Sequence, residues 1–202
     1  MTYGLKRPLT RRDLGGLAFA ALLAAAAPAQ ADTAAETYVK KIAADVMALA
    51  NTGEKGKALR GRFAALMNRY INLKGIADYA LGPYNKKLPA GDRAEFYKLV
   101  SNYAAALFVY YVEDFRGTEL DIISTTKQGK FTIIHSAITG KGGREQVRWR
   151  LVPTGGSFLI SDVNLKGIWL RISMKDRFGK VLKKSGGDFG PLFAELREAE
   201  TW

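Results

Sequence analysis

His135 is the single histidine of the 202-residue chain, and it is the first side chain to weigh for chemistry. With Ser136, Ser161 or Asp162 as partners it could form a relay in which imidazole takes a hydroxyl proton and a carboxylate orients the ring. Its setting argues otherwise. In Phe131–Ile138, His135 shares a parity with Phe131 and Ile133, so it can lie on an apolar strand face, where a lone histidine packs more often than it catalyses. No G-x-S-x-G elbow is present, and Glu113 and Asp114 are adjacent, so they point apart from a helix. The glycine clusters lack phosphate-loop spacing and read as hairpin turns. The chain has no cysteine, which excludes disulfides, thiol catalysis and cysteine metal sites, and one histidine cannot make a histidine metal cluster. No enzyme activity, metal or cofactor is expected. An exported enzyme working through His135 and Asp162 stands as the rival reading.

The basic residues are the second constellation. Arg144, Arg148, Arg150 and Lys166, with Lys86-Lys87 and Lys183-Lys184, are either an ordinary solvated face or a contact for a phosphate head group or an anionic partner. The formal net charge is +12. Residues 1–31 carry Lys6, Arg7, Arg11, Arg12 and Asp13, so the rest keeps 27 basic against 18 acidic side chains, or +9. Those 31 residues read as a secretory signal peptide: a basic start, an apolar run from Leu14 to Ala27, and Ala29-Gln30-Ala31 as a small-x-small cleavage site before Asp32. Thr10-Arg11-Arg12-Asp13-Leu14 also resembles a twin-arginine export signal. Export to the periplasm makes nucleic acid an improbable partner and leaves anionic lipid or a docking protein. Residues 32–202 suit one domain with a sizeable core.

The elements that must position these side chains start from a long helix, Asp92–Arg116. Asp92 and Glu95 have capping-box spacing, and no Gly or Pro interrupts the run before Gly117. Phe96, Leu99, Val100, Tyr103, Leu107, Tyr110 and Tyr111 line one face; Tyr97, Ala104, Ala105, Phe108, Val109, Val112 and Phe115 line the other. A helix apolar nearly all round is buried on both sides or walls a cavity with an apolar occupant. Before it, amphipathic helices are expected over Thr33–Asn51, Gly61–Tyr70 and Leu73–Leu81. After Gly117 the period changes to 2, predicting strands over Glu119–Ser124, Lys130–Thr139, Glu145–Pro153 and Ser157–Val163. Ile168–Ile172 is a fifth strand or an extended arm, and helices close the chain over Lys175–Lys184 and Phe189–Ala199. Short Gly-rich links imply an antiparallel meander. In the third strand Val147, Trp149 and Leu151 alternate with Arg148 and Arg150, giving one apolar face and one basic, wet face. The class expected is α+β, a sheet of four or five antiparallel strands packed against N- and C-terminal helices.

Three segments resemble the MlaC family, also called toluene-tolerance auxiliary proteins, which are periplasmic lipid shuttles of an ABC-type transport system. Phe63–Tyr84 is similar to the family's F-x-x-L-x-x-x-F/Y-D-x-x-x-I-A-x-x-x-L-G-x-x-W/Y run. Asp92–Tyr103 is similar to Q-R-x-E-F-x-x-L-F-x-x-Y, and Phe158–Phe178 to W-x-V-x-D-V-x-x-x-G-V-S-L-x-x-x-Y-R-x-x-F. Asn72 stands where the family usually has Asp, Asn164 and Trp169 depart from the third motif, and Ser173-Met174-Lys175 replaces its approach to the tyrosine and arginine.

The resemblance implies an apolar cavity between sheet and helices that takes acyl chains. It also implies phospholipid cargo, with a hopanoid or other apolar lipid as the alternative, and exchange between an inner-membrane ABC transporter complex and an outer-membrane lipoprotein/porin complex. A monomer is expected. The lining residues expected are Tyr103, Leu107, Phe108 and Tyr111 from the helix, Ile133, Val147, Trp149, Leu151 and Ile160 from the sheet, and Ile168 and Leu170 from the arm. Arg148, Arg150 and Lys166 are the expected head-group or partner contacts. Asp162 and Gly167, with Asp78 and Arg69, are expected to fix geometry rather than touch cargo. An adaptor that docks through its basic face and carries nothing is the second rival.

Overall fold

The computed structural model describes residues 27–110, 116, 118–140, 143–165 and 167–201. Most of the expected leader, Tyr111 and Lys166 lie outside them. Among the described residues, six α-helices and a five-stranded sheet make an α+β domain. The helices are α1 (Ala27–Ala50), α2 (Gly56–Tyr70), α3 (Leu73–Leu81), α4 (Arg93–Tyr110), α5 (Leu170–Lys184) and α6 (Gly190–Glu198). The strands are β1 (Glu119–Gln128), β2 (Phe131–Gly140), β3 (Gly143–Thr154), β4 (Ser157–Leu165) and β5 (Ile168–Trp169). They follow one another in space as they do in sequence, each antiparallel to the last. The β3–β4 hairpin needs both Gly155 and Gly156 at positive φ, 49° and 82°, where a side chain would be strained.

Helix α1 lies across one sheet face. Ala35, Val39 and Ile42 from the helix meet Ile134, Leu151 and Ile160 from the sheet, and Tyr70 closes this cluster from the end of α2. The Thr125 hydroxyl donates to the Glu36 carboxylate at 2.6 Å, and the Tyr70 hydroxyl donates to Asp45 at 2.5 Å.

Helix α4 is buried on both sides, as its two apolar faces require. Phe96, Leu99, Val100, Tyr103 and Ala106 pack with α3, α5 and α6 in a second cluster. Ala105, Ala104, Phe108 and Val109 turn toward α1 and α2, where Phe63, Leu59 and Leu49 form a third. Asp78 links α3 to α4, accepting from the Tyr97 hydroxyl at 2.7 Å and from Lys74 at 3.0 Å. Ile71, between α2 and α3, packs against all three clusters and makes a parallel bridge with Ile160 of β4.

Three expectations about local structure need correction. A 3₁₀ turn, Ala90–Asp92, precedes α4, and Glu95 accepts a hydrogen bond from Arg197 of α6 in place of a capping role. Tyr110, placed on an apolar face, is 71 % exposed. The expected arm is only two residues of strand, Ile168–Trp169, and the helix starts at Leu170. The reason is non-local: Asp162 on β4 accepts the backbone N–H of Arg171 at 3.1 Å and satisfies a first-turn donor that no neighbour in sequence reaches. Asn72 caps α3 in the same way, its Oδ1 accepting from the Gly75 N–H at 2.9 Å, so Asn serves where the family pattern has Asp.

Candidate functional site

The expected lining residues divide among the apolar clusters. Tyr103 is buried with α3, α5 and α6, and Leu107 and Leu170 are half-buried beside it. Phe108 stacks on Phe63 in the α1–α2 cluster. Leu151 and Ile160 are fully buried under α1, with Trp149 at their margin. Val147 is buried on this same sheet face, since it pairs with Ser136 as Trp149 pairs with Ile134. Ile133 is buried but faces the other way, opposite Arg150. Two isoleucines in succession left the parity of β2 open, and Ile134 is the one beneath α1. Ile168 is 62 % exposed and sits outside the interior. Two surface clefts of about 440 and 420 Å³ lie elsewhere, one between Lys87, Asp92 and Phe189, the other beside Gly155 and Phe158. Neither is lined by a residue of the expected set.

The second sheet face is basic but not wet. Register places Ile133, Arg150 and Asp162 side by side, and next to them His135, Arg148, Asn164 and Trp169. Asp162 is fully buried, Asn164 is 2 % exposed and Arg150 is 9 % exposed. The Asp162 Oδ1 accepts from the N–H of Val163 at 3.0 Å as well as from Arg171. Its Oδ2 lies 3.0 Å from Arg171 Nε and 3.6 Å from Arg150 Nη1. Burial raises the Asp162 carboxyl above its ordinary range, against the opposing pull of the Arg171 N–H and the two guanidiniums. Burial, with Arg171 alongside, lowers Arg150. Aromatic rings flank the guanidiniums: Arg150 lies 4.2 Å from the Trp169 ring centre and 5.5 Å from that of Phe131, and Arg171 lies 4.5 Å from that of Tyr79.

The relay considered for His135 is not assembled. Its Nε2 meets the Thr126 hydroxyl at 3.2 Å. Ser136 is on the opposite face, donating to the Val147 carbonyl and accepting from Trp149 Nε1. Ser161 donates to the Arg150 carbonyl, and Arg148 stands between His135 and Asn164 in the register. Among the described residues no group of three or more His, Cys, Asp or Glu side chains could hold a metal, and no helix is long and apolar enough to cross a membrane.

Sequence reasoning reached Arg148 and Arg150 through the alternation of β3 but missed Arg171, Asn164, Tyr79 and Phe131. Arg171 was hidden because its segment read as an arm, and the others carry no signal without the register.

The family model described as MlaC protein matches residues 37–198. This chain belongs to the MlaC family. The match runs from within α1 to the end of α6 and so takes in the arginine-rich face and all of the three apolar clusters but Ala35 and Ala199. Among solved structures, this MlaC chain is similar to a phospholipid-binding protein from Ralstonia solanacearum determined in complex with a phospholipid. The two share 16 % identity with a TM-score of 0.69, over 85 % of this chain and 97 % of that one. That likeness establishes a common fold. Comparison with curated proteins returned no match.

Proposed function

We propose that the protein is a periplasmic lipid carrier that buries phospholipid acyl chains between its sheet and helices and shuttles them between inner- and outer-membrane complexes. The observation that carries this reading is membership of the MlaC family over residues 37–198, joined to a fold shared with a protein solved in complex with a phospholipid. The physics agrees with it. Taking an acyl chain out of a membrane requires compensation of about 0.8 kcal/mol per CH₂, so a carrier needs a large apolar interior within a polar shell. Here that interior is subdivided, and the subdivisions meet at Ile71 between the two layers. Side chains at such a seam can exchange contacts with one another for contacts with a guest. Tyr103, Leu107, Phe108, Leu151, Ile160 and Trp149 belong to the clusters that Ile71 joins and are the lining residues we favour, with Arg148 and Arg150 toward the head group. Cargo is bound without covalent chemistry, and no catalytic role is assigned to His135 or Asp162.

Native mass spectrometry of the exported protein, followed by organic extraction, tests the reading. A stoichiometric adduct with the mass of a diacyl phospholipid is the expected result. A polycyclic lipid mass would keep the carrier and change its cargo. A clean apo mass after incubation with phospholipid vesicles would overturn the carrier in favour of an adaptor.

A further inference from the structure

The arginine-rich face holds more donors than its own acceptors can use. Arg150 Nε and Asn164 Nδ2 are buried without an acceptor, while Arg171 Nε and Arg150 Nη1 share only the Asp162 Oδ2, an ion-pair contact outside hydrogen-bond geometry. The one carboxylate present is already committed: Oδ1 of Asp162 takes two backbone N–H groups, and Oδ2 faces two guanidiniums at 3.0 and 3.6 Å. Two arginines, Arg150 and Arg171, thus share a single negative charge, and Arg148 sits beside them on Asn164. The Asn164 amide is oriented by Arg148, whose Nε and Nη2 donate to Oδ1 at 3.3 and 3.2 Å; because arginine only donates, the Nδ2 donor is turned the other way. The Trp169 and Phe131 rings lie 4.2 and 5.5 Å from the Arg150 guanidinium carbon, and a guanidinium flanked by rings still offers its N–H groups to a bidentate acceptor. Helix α5 begins here, and its own N-cap residue, Trp169, supplies no side-chain cap. Its N-terminal partial charge adds to the positive potential.

We infer that Arg150, Arg171 and Asn164 form a receptor for a phosphate group, steadied by Arg148 and by the ring of Trp169. A tetrahedral oxyanion offers several acceptor oxygens in different directions, which suits donors spread over two strands and a helix start. A planar carboxylate serves fewer of them. The surroundings point to phosphate attached to a lipid. Exposed Ile172 follows Arg171 at the start of α5, and exposed Leu165 and Ile168 stand at the same sheet edge, on the face opposite Asn164 and Trp169. Charged receptor and apolar margin together match an amphiphile. The lipid source of the phosphate rests on the carrier reading; the phosphate chemistry itself does not.

The test leaves the fold untouched in its first arm. The purified protein is incubated with vesicles containing equal amounts of phosphatidylglycerol and a diacylglycerol of identical acyl chains, and the retained lipid is quantified by mass spectrometry. Preference for the phosphorylated lipid of about tenfold is expected. Arg171→Gln, whose side chain is near the surface, and Arg150→Met should each bring that ratio toward one; the Arg171 variant alone decides if the other fails to fold. Equal retention of the two lipids by the wild type, or a ratio unchanged by Arg171→Gln, overturns the receptor and leaves the carrier standing. In the second arm, inorganic phosphate is titrated against the protein and followed by ³¹P NMR. If neither lipid is retained, the carrier reading fails, and a saturable phosphate shift lost in Arg171→Gln then identifies free phosphate as the ligand. No shift and no lipid retention overturns the site altogether.

Discussion

The Asp162 carboxylate on β4 holds Arg171 twice, through its backbone N–H at 3.1 Å and its guanidinium Nε at 3.0 Å. One fully buried side chain therefore starts a helix and neutralises part of a guanidinium cluster. Asp162→Asn keeps the shape and removes the charge, leaving Arg150 and Arg171 in place without it. Breaking such a buried pair costs about 3 kcal/mol, which lowers the melting temperature by roughly 6–12 °C in a domain of this size. Thermal denaturation at neutral pH measures it; a change below about 2 °C would contradict the role given to Asp162.

Tyr70 and Asp45 give a pH-dependent contribution. The Tyr70 hydroxyl is the main cause that holds the Asp45 carboxyl below its usual range, with Lys41 second. A depressed carboxylate stabilises the fold above its unfolded value, about pH 4, and that stability is lost as pH falls through the lower folded value. Tyr70→Phe keeps the ring in the core and deletes the hydroxyl. The expected loss is about 1 kcal/mol at pH 7, because Asp45 is partly solvated, shrinking toward zero on acidification below the folded value. Urea denaturation of the two proteins across that range reads the difference directly.

Gly167 holds the β4–β5 turn at φ 85° with open space where a Cβ would stand. The penalty for Gly167→Ala is thus conformational, about 1–2 kcal/mol, with no steric clash to relieve. Since Trp169 follows two residues later and lies over both Arg148 and Arg150, tryptophan emission should shift along with the melting temperature. Destabilisation without a spectral change would mean that the turn does not set the ring.

His135→Gln tests the enzymatic rival. The imidazole makes an exposed contact with Thr126, and glutamine can keep a hydrogen bond there. Stability should stay within about 0.5 kcal/mol, and lipid retention should match the wild type. A selective loss of function in a folded His135→Gln protein would reopen catalysis at this residue.

The fold class was legible because its signals are local. The switch of period after Gly117, the Gly-rich hairpins and the two-sided apolar helix each follow from neighbours in sequence, and the MlaC resemblance rested on motifs of fixed spacing. The arginine-rich face was half legible. Alternation in β3 separated Arg148 and Arg150 from Trp149 and Leu151, yet it could not show that Arg150 is buried, because what covers it comes from β5 and β2. The start of α5 was illegible for the same reason, its cap arriving from a different strand. Ile133 and Ile134 show the limit of periodicity: with two apolar residues in succession, only cross-strand register decides which one faces the helix.

Ile71 also has a mechanical meaning. The N–H of Asn72 donates to the Ile160 carbonyl at 2.8 Å beside the Ile71–Ile160 bridge, pinning the helical layer to the sheet at this point. Elsewhere the layers are joined by the Asp162–Arg171 and Thr125–Glu36 contacts and by interdigitated apolar side chains, which re-pair at lower cost than backbone ladders break. Any widening of the gap between sheet and helices would therefore turn on two links to β4, the Asn72–Ile160 bond and the bond from the Arg171 N–H to Asp162.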